Sequence, residues 1–105
     1  MVNATFIFDS LDALLESGAA LRDKLARVSE LFYDWLGIRT QFCGIFGKRW
    51  SWFSGIDDDA VIPMARVELC EGWGIIADSV PELKSDWQKL LEKIGGFLKN
   101  RRDLD

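Results

Sequence analysis

Apolar and small residues first recur at three- and four-residue steps: Leu11, Leu14, Leu15, Gly18, Leu21, Leu25, Val28, Phe32, Trp35 and Leu36. Glu16, Asp23, Lys24, Arg27, Glu30 and Asp34 lie off that stripe. Such spacing keeps one side of an α-helix apolar and predicts an amphipathic helix over about residues 10–36, packed on one face. Ser10 is suited to cap its start, since a serine oxygen can accept from an unpaired first-turn N–H. Gly37 is suited to end it. Ser17-Gly18 is where the run would split into a short helix and a longer one.

The period then changes to two. "IRTQFCGIF" and "RWSWFSG" flank Gly47-Lys48, which predicts a hairpin over about 39–54 with glycine first in its turn. "VIPMARVELC" and "WGIIADS" flank Glu71-Gly72 and predict a second hairpin over about 61–77. Pro63 marks the edge or the start of a strand, because proline has no N–H for a ladder. The last segment, "SVPELKSDWQKLLEKIGGFLKNR", returns to helical spacing through Leu83, Trp87, Leu90, Leu91, Ile94, Phe97 and Leu98, a helix over about 80–99. Ser79 with Glu82, or Ser85 with Gln88, would form a capping box at its start. Gly95-Gly96 weakens a helix by about 1 kcal/mol per glycine, a loss that close approach to another backbone would explain. Helix, hairpin, hairpin, helix describes one α+β domain over residues 1–105. It is a two-layer arrangement, with a small antiparallel sheet of about four strands and the N- and C-terminal helices packed on one of its faces.

Two-residue turns set which side chains share a face. With Gly47 and Lys48 in the turn, Ile45 faces Trp50 and Cys43 faces Trp52. Gln41, Cys43, Ile45, Trp50 and Trp52 then share one face, and Phe42, Gly44, Phe46, Ser51 and Phe53 the other. In the second hairpin the same rule pairs Cys70 with Trp73, Glu68 with Ile75 and Val67 with Ile76. It sets Arg66, Glu68, Cys70, Trp73 and Ile75 against Ala65, Val67, Leu69, Gly74 and Ile76. The second of those sets is wholly apolar or glycine and belongs under the helices. Trp50, Trp52 and Trp73 are then expected together on the face away from them, beside Arg66. A large uncovered apolar patch usually marks a partner or ligand surface. A one-residue slip of either hairpin would instead turn its tryptophans into the core.

Charge and composition narrow the chemistry. The balance of 13 basic and 17 acidic residues, net charge -4, argues against nucleic acid or an anionic membrane as partner. "KNRR" near the C-terminus is followed by Asp103 and Asp105 and reads as a solvated helix end; "KRWSWF" carries too few cations for a stacking platform. No apolar run reaches the roughly 20 residues of a membrane span. "MVNATFIFDS" lacks the basic start and the length of a signal peptide, so the chain is expected in the cytoplasm and its Asn3 sequon is coincidental. There is no histidine, which excludes Ser-His and Cys-His nucleophiles and histidine metal sites. Cys43 and Cys70 fall in strand-like runs and read as small apolar filling. Asp57, Asp58 and Asp59 lack the further ligands and closing glutamate of a calcium loop, so no metal and no cofactor is expected.

"LRDKLARVSELFYDWLGIRTQFCGIF" resembles the opening of a GAF domain: an amphipathic helix, a short turn and a first strand. "VIPMARVELCEGWGIIADS" followed by "LKSDWQKLLEKIGGFL" resembles its close. The resemblance covers residues 10–98 and rests on hydrophobic pattern. It implies a regulatory or signalling module that pairs with itself or with other proteins. The chain departs from the family where further segments usually roof one sheet face and enclose a ligand; these are reduced to "SGIDDDAV". The family's cyclic-nucleotide, bilin and haem sites have no counterpart, and Cys43 is not in a chromophore-attachment setting. The aromatic face would take the place of the pocket floor. A roadblock-like fold is the runner-up, but it needs a helix between its hairpins that Ile56–Ala60 is too short to form.

The expected function is therefore a non-catalytic interaction module, self-associating as a homodimer or binding a protein partner through Trp50, Trp52, Arg66 and Trp73. The alternative is a small-molecule sensor in which indoles stack on a planar ligand and Arg66 pairs with an anionic group.

Overall fold

A computed structural model describes residues 4–56, 63–81 and 84–99. The N-terminal stripe is carried by two helices, α1 (Ala4–Glu16) and α2 (Leu21–Leu36), which part at the expected Ser17-Gly18. Ser10 is not a cap but lies inside α1, because Ile7 extends the stripe upstream: Ile7, Leu11 and Leu15 are all buried. The end of α1 is tied down twice. The backbone N–H and hydroxyl of Ser17 both donate to Leu14 O, and Lys24 Nζ donates to Leu15 O at 2.8 Å. A cation there also meets the negative end of the helix dipole. At the other end of α2, Gly37 takes φ 69° and donates to Tyr33 O at 3.0 Å, while Ile38 donates to Phe32 O at 3.5 Å. The Gly37 bond, reaching four residues back from a left-handed glycine, is an αL closure.

Four strands follow: β1 (Thr40–Phe46), β2 (Arg49–Gly55), β3 (Ala65–Cys70) and β4 (Trp73–Ala77). They form one antiparallel sheet in the order β2-β1-β4-β3, so β2 and β3 are its edges. Regular pairing of β3 begins after Pro63, with Met64 N–H donating to Ala77 O. The last helix, α3, spans Lys84–Lys99; Ser85 falls inside its first turn rather than ahead of it, and Glu82 lies outside the described residues.

All three helices and one sheet face share a single core. Leu11 of α1, Leu25, Val28 and Phe32 of α2, Phe42 and Ile75 of the sheet, and Ile94 and Leu98 of α3 are almost wholly buried. Each such side chain contributes about 1.5–3 kcal/mol by leaving water. Phe32 and Trp87 meet edge to face at 5.3 Å between centroids. The helix layer is fastened to the sheet by polar contacts as well. Thr40 Oγ1 donates to Ser29 Oγ, Ser29 Oγ to Thr40 O, and Ser54 Oγ to Arg22 O.

Each edge strand carries one bulge. Phe42 pairs with Ser54 but Cys43 with Trp52, which leaves Phe53 as the extra residue of β2. Glu68 pairs with Gly74 but Cys70 with Trp73, which leaves Leu69 as the extra residue of β3. Bulges bend and twist a strand. Here they also decide which side chains face the helices.

Candidate functional site: the outer face of the sheet

The first hairpin places its tryptophans as the turn predicts. Ile45 pairs with Trp50 and Cys43 with Trp52, on the face away from the helices. Arg66 and Glu68 join that face from β3, opposite Ile76 and Gly74. Trp73 does not. With Leu69 bulged out, Val67 rather than Glu68 lies opposite Ile75, and the whole of β4 is turned over relative to the unbulged expectation. Ile75 and Trp73 therefore face the helices, and Gly74 and Ile76 face out. Trp73 packs against the main core and meets Phe53 edge to face at 4.9 Å and 84°. The outer face carries two indoles, not three.

The turn chemistry held the signal for this correction. Gly47 has positive φ in the first turn position, the form that matches strand twist. In Glu71-Gly72 the positive φ, 88°, falls on the second residue. Glutamate disfavours the positive φ a primed turn would demand of it, and turns of the other hand splay their strands unless an extra residue takes up the mismatch. Leu69 is that residue.

Within the outer face, Cys43 and Ile76 are nearly buried and form a small second cluster with Trp50 and Ile56. Among the described residues, no helical side chain belongs to it. Trp50 acts as its roof. Its ring lies over Gly74, where a Cβ would collide with the indole and stand 3.0 Å from Ile45 Cδ1. The Arg66 guanidinium stands 5.9 Å from the centroid of the same ring. Trp52 is the more open indole, 39% exposed. Its Nε1–H donates to Ile56 O at 3.0 Å, and Gln41 Nε2 donates to the same oxygen at 3.4 Å. Arg22 of α2 reaches round the edge, 4.4 Å from the Phe53 centroid and 6.0 Å from that of Trp52. Ile56 was not foreseen as part of this site; its signal was an apolar residue directly after Gly55, in a stretch otherwise acidic.

Two further surfaces were not anticipated. Phe6 and Trp35, both over a third exposed, meet tilted at 49° with centroids 4.6 Å apart across the outside of α1 and α2, although Trp35 lies on the stripe expected to pack inward. A cleft of about 440 Å³ lies between the β3 bulge and α3, lined by Leu69, Cys70, Glu71, Gly95, Gly96 and Lys99. Burial pushes the Cys70 thiol above its ordinary pKa; the Glu68 carboxylate adds to that, Lys99 opposes it and Glu71 adds a little more. A thiol so placed stays protonated and is a poor nucleophile. Cys43 is sealed beneath the outer cluster. Among the described residues no group of three Cys, Asp or Glu side chains could hold a metal ion, and Asp57, Asp58 and Asp59 lie outside those residues. No helix among them is long and apolar enough to cross a membrane.

No protein-family model, no curated protein and no solved structure matches this chain.

Proposed function

We propose that this chain is a non-catalytic regulatory module of GAF-like type that works in the cytoplasm, self-associates, and receives a protein partner on the outer face of its sheet. The observation that carries this reading is the pair Trp50 and Trp52, at alternate positions of an edge strand on the sheet face opposite the helix layer, with Arg22 of α2 reaching round to its edge. Trp52 exposes 39% of its surface there, and tryptophan beside arginine is the combination over-represented in energetically dominant interface positions. The order of two helices, two hairpins and a helix around a β2-β1-β4-β3 sheet contains the helix–hairpin–hairpin–helix run on which the GAF-like reading rests.

At Trp50 the geometry favours a protein over a small planar ligand. A flat ligand would need an open ring face with a cation above it. That place over Gly74 is already filled by the Trp50 indole, with Arg66 against it. Light scattering from low to high micromolar concentration is expected to give a mass above that of one chain. Acrylamide quenching, with Trp52→Phe as the difference, is expected to find an accessible indole. A chain that stays monomeric throughout would overturn self-association. Saturable quenching by a planar heterocycle, with a rise in melting temperature, would move the reading to a small-molecule sensor.

A further inference from the structure

Arg66 and Glu68 stand two residues apart on the outer face of an edge strand, and both are exposed. β3 has β4 as its single ladder partner among the described strands. If two such strands met antiparallel with Val67 opposite Val67, each Arg66 would fall directly across from a Glu68, twice over. Directly opposed residues of antiparallel strands sit about 4.5–5.5 Å apart, where opposite charges attract and like charges repel. A two-fold contact is by nature reciprocal in this way. β2 offers no such register, because "RWSWFSG" contains no acidic residue and Arg22 of α2 lies along its bulge. Beside β3 the helix side has room: a second cleft of about 190 Å³, bounded by Val67, Glu68, Leu69, Gln88, Leu91 and Glu92, opens along the strand.

We propose that β3 pairs antiparallel with β3 of a second copy of this chain about a two-fold axis at Val67, which joins two four-stranded sheets into one of eight strands. The inference rests on the self-associating reading and gives it a surface. The bulge at Leu69 ends the paired segment, so the ladder is short and centred on Ala65–Leu69. A two-fold perpendicular to the sheet keeps both outer faces on the same side. The dimer thus presents two Trp50-Trp52 pairs on one continuous surface and can hold its partner bivalently.

Charge reversal tests the register. Arg66→Glu alone and Glu68→Arg alone each place like charges opposite one another at both ends of the pair. Each is expected to weaken the dimer on the order of ten-fold in sedimentation equilibrium at low salt. The double variant R66E/E68R restores the reciprocal pairs and is expected to recover the wild-type mass. That recovery separates pairing from the contact of Arg66 with Trp50, which the double variant also lacks. Circular dichroism verifies folding of each variant. Where a reversal unsettles the fold, Val67→Cys in a Cys70→Ser background supplies the second measurement. Residue 67 meets its own copy on the axis within bridging distance, so mild oxidation is expected to give a covalent dimer. A dimeric wild type indifferent to both single reversals, or a double variant that stays dissociated, overturns the β3 contact and leaves self-association standing. A monomeric wild type overturns both.

Discussion

Gly95 of α3 stands so close to the carbonyl oxygen of Leu69 that a Cβ at that position would collide with it. Leu69 is the bulged residue of β3, so the helix meets the sheet at the bulge. The neighbouring Gly96 has nothing within 4 Å of its missing Cβ. Gly95→Ala is therefore expected to destabilise by about 1–3 kcal/mol, as overpacking does. Gly96→Ala is expected to stabilise by up to about 1 kcal/mol through helix propensity alone. Urea unfolding of the two variants would show shifts of opposite sign; a matching loss in both would mean that both glycines serve close approach.

The Trp50 roof makes a second prediction. Gly74→Ala drives a methyl group into the indole and is expected to lift it from Cys43 and Ile76. Tryptophan emission should shift to the red and acrylamide quenching should rise relative to wild type. In a Trp50→Phe background the same substitution should change the emission little, since Trp50 is the indole that moves.

Lys24 is a buried cation whose ammonium bonds the Leu15 carbonyl at the end of α1 and stands 5.0 Å from the Phe97 ring centroid. It thus joins all three helices. Lys24→Met keeps much of the stem but leaves Leu15 O without this donor, at a cost of about 1–3 kcal/mol in thermal or urea unfolding. Replacing the exposed Lys93, whose bridge to Asp12 is 2.7 Å long but half in water, should cost under about 1 kcal/mol.

Cys70 gives a pH dependence of definite sign. Burial, followed by the Glu68 carboxylate, raises its folded pKa, so the folded state holds the thiol proton more tightly than the unfolded chain does. The resulting stability is present below the unfolded thiol's value of about 8.5 and is lost as pH rises through the folded one. Alkylation of Cys70 by iodoacetamide should be slow near neutral pH. Glu68→Gln should lower the pKa and speed the reaction at any fixed pH below it. An unchanged rate profile would show that the Glu68 charge does not control the thiol.

Trp52 is expected to hold the start of the β2–β3 link through Ile56 O. Trp52→Phe keeps the apolar ring and removes the N–H, a loss of about 0.5–1.5 kcal/mol. Faster amide exchange at Gly55 and Ile56 would locate the effect.

What was legible in the chain was everything set by local period and local turn chemistry. The three- and four-residue spacing placed the helical stripes, and alternation placed the two hairpins. Gly37 ended α2, and the Gly47-Lys48 turn put Trp50 opposite Ile45 and Trp52 opposite Cys43. The doubled glycine of α3 already spoke of a close approach, although only the fold shows that Gly95 alone makes it.

What the tertiary structure decided was which residue takes up the mismatch of the Glu71-Gly72 turn, and with it the face of Trp73, and how the outer cluster is covered. A single extra residue at Leu69 reverses every side chain beyond it, because the strand period is two, and α3 packs where that residue sits. Likewise, Trp50 closes over Gly74 from a strand two places away in the sheet, a contact between residues 24 positions apart that no local pattern encodes. Period and propensity act over a few residues and specify elements, whereas bulges and close approaches are settled by how distant surfaces fit.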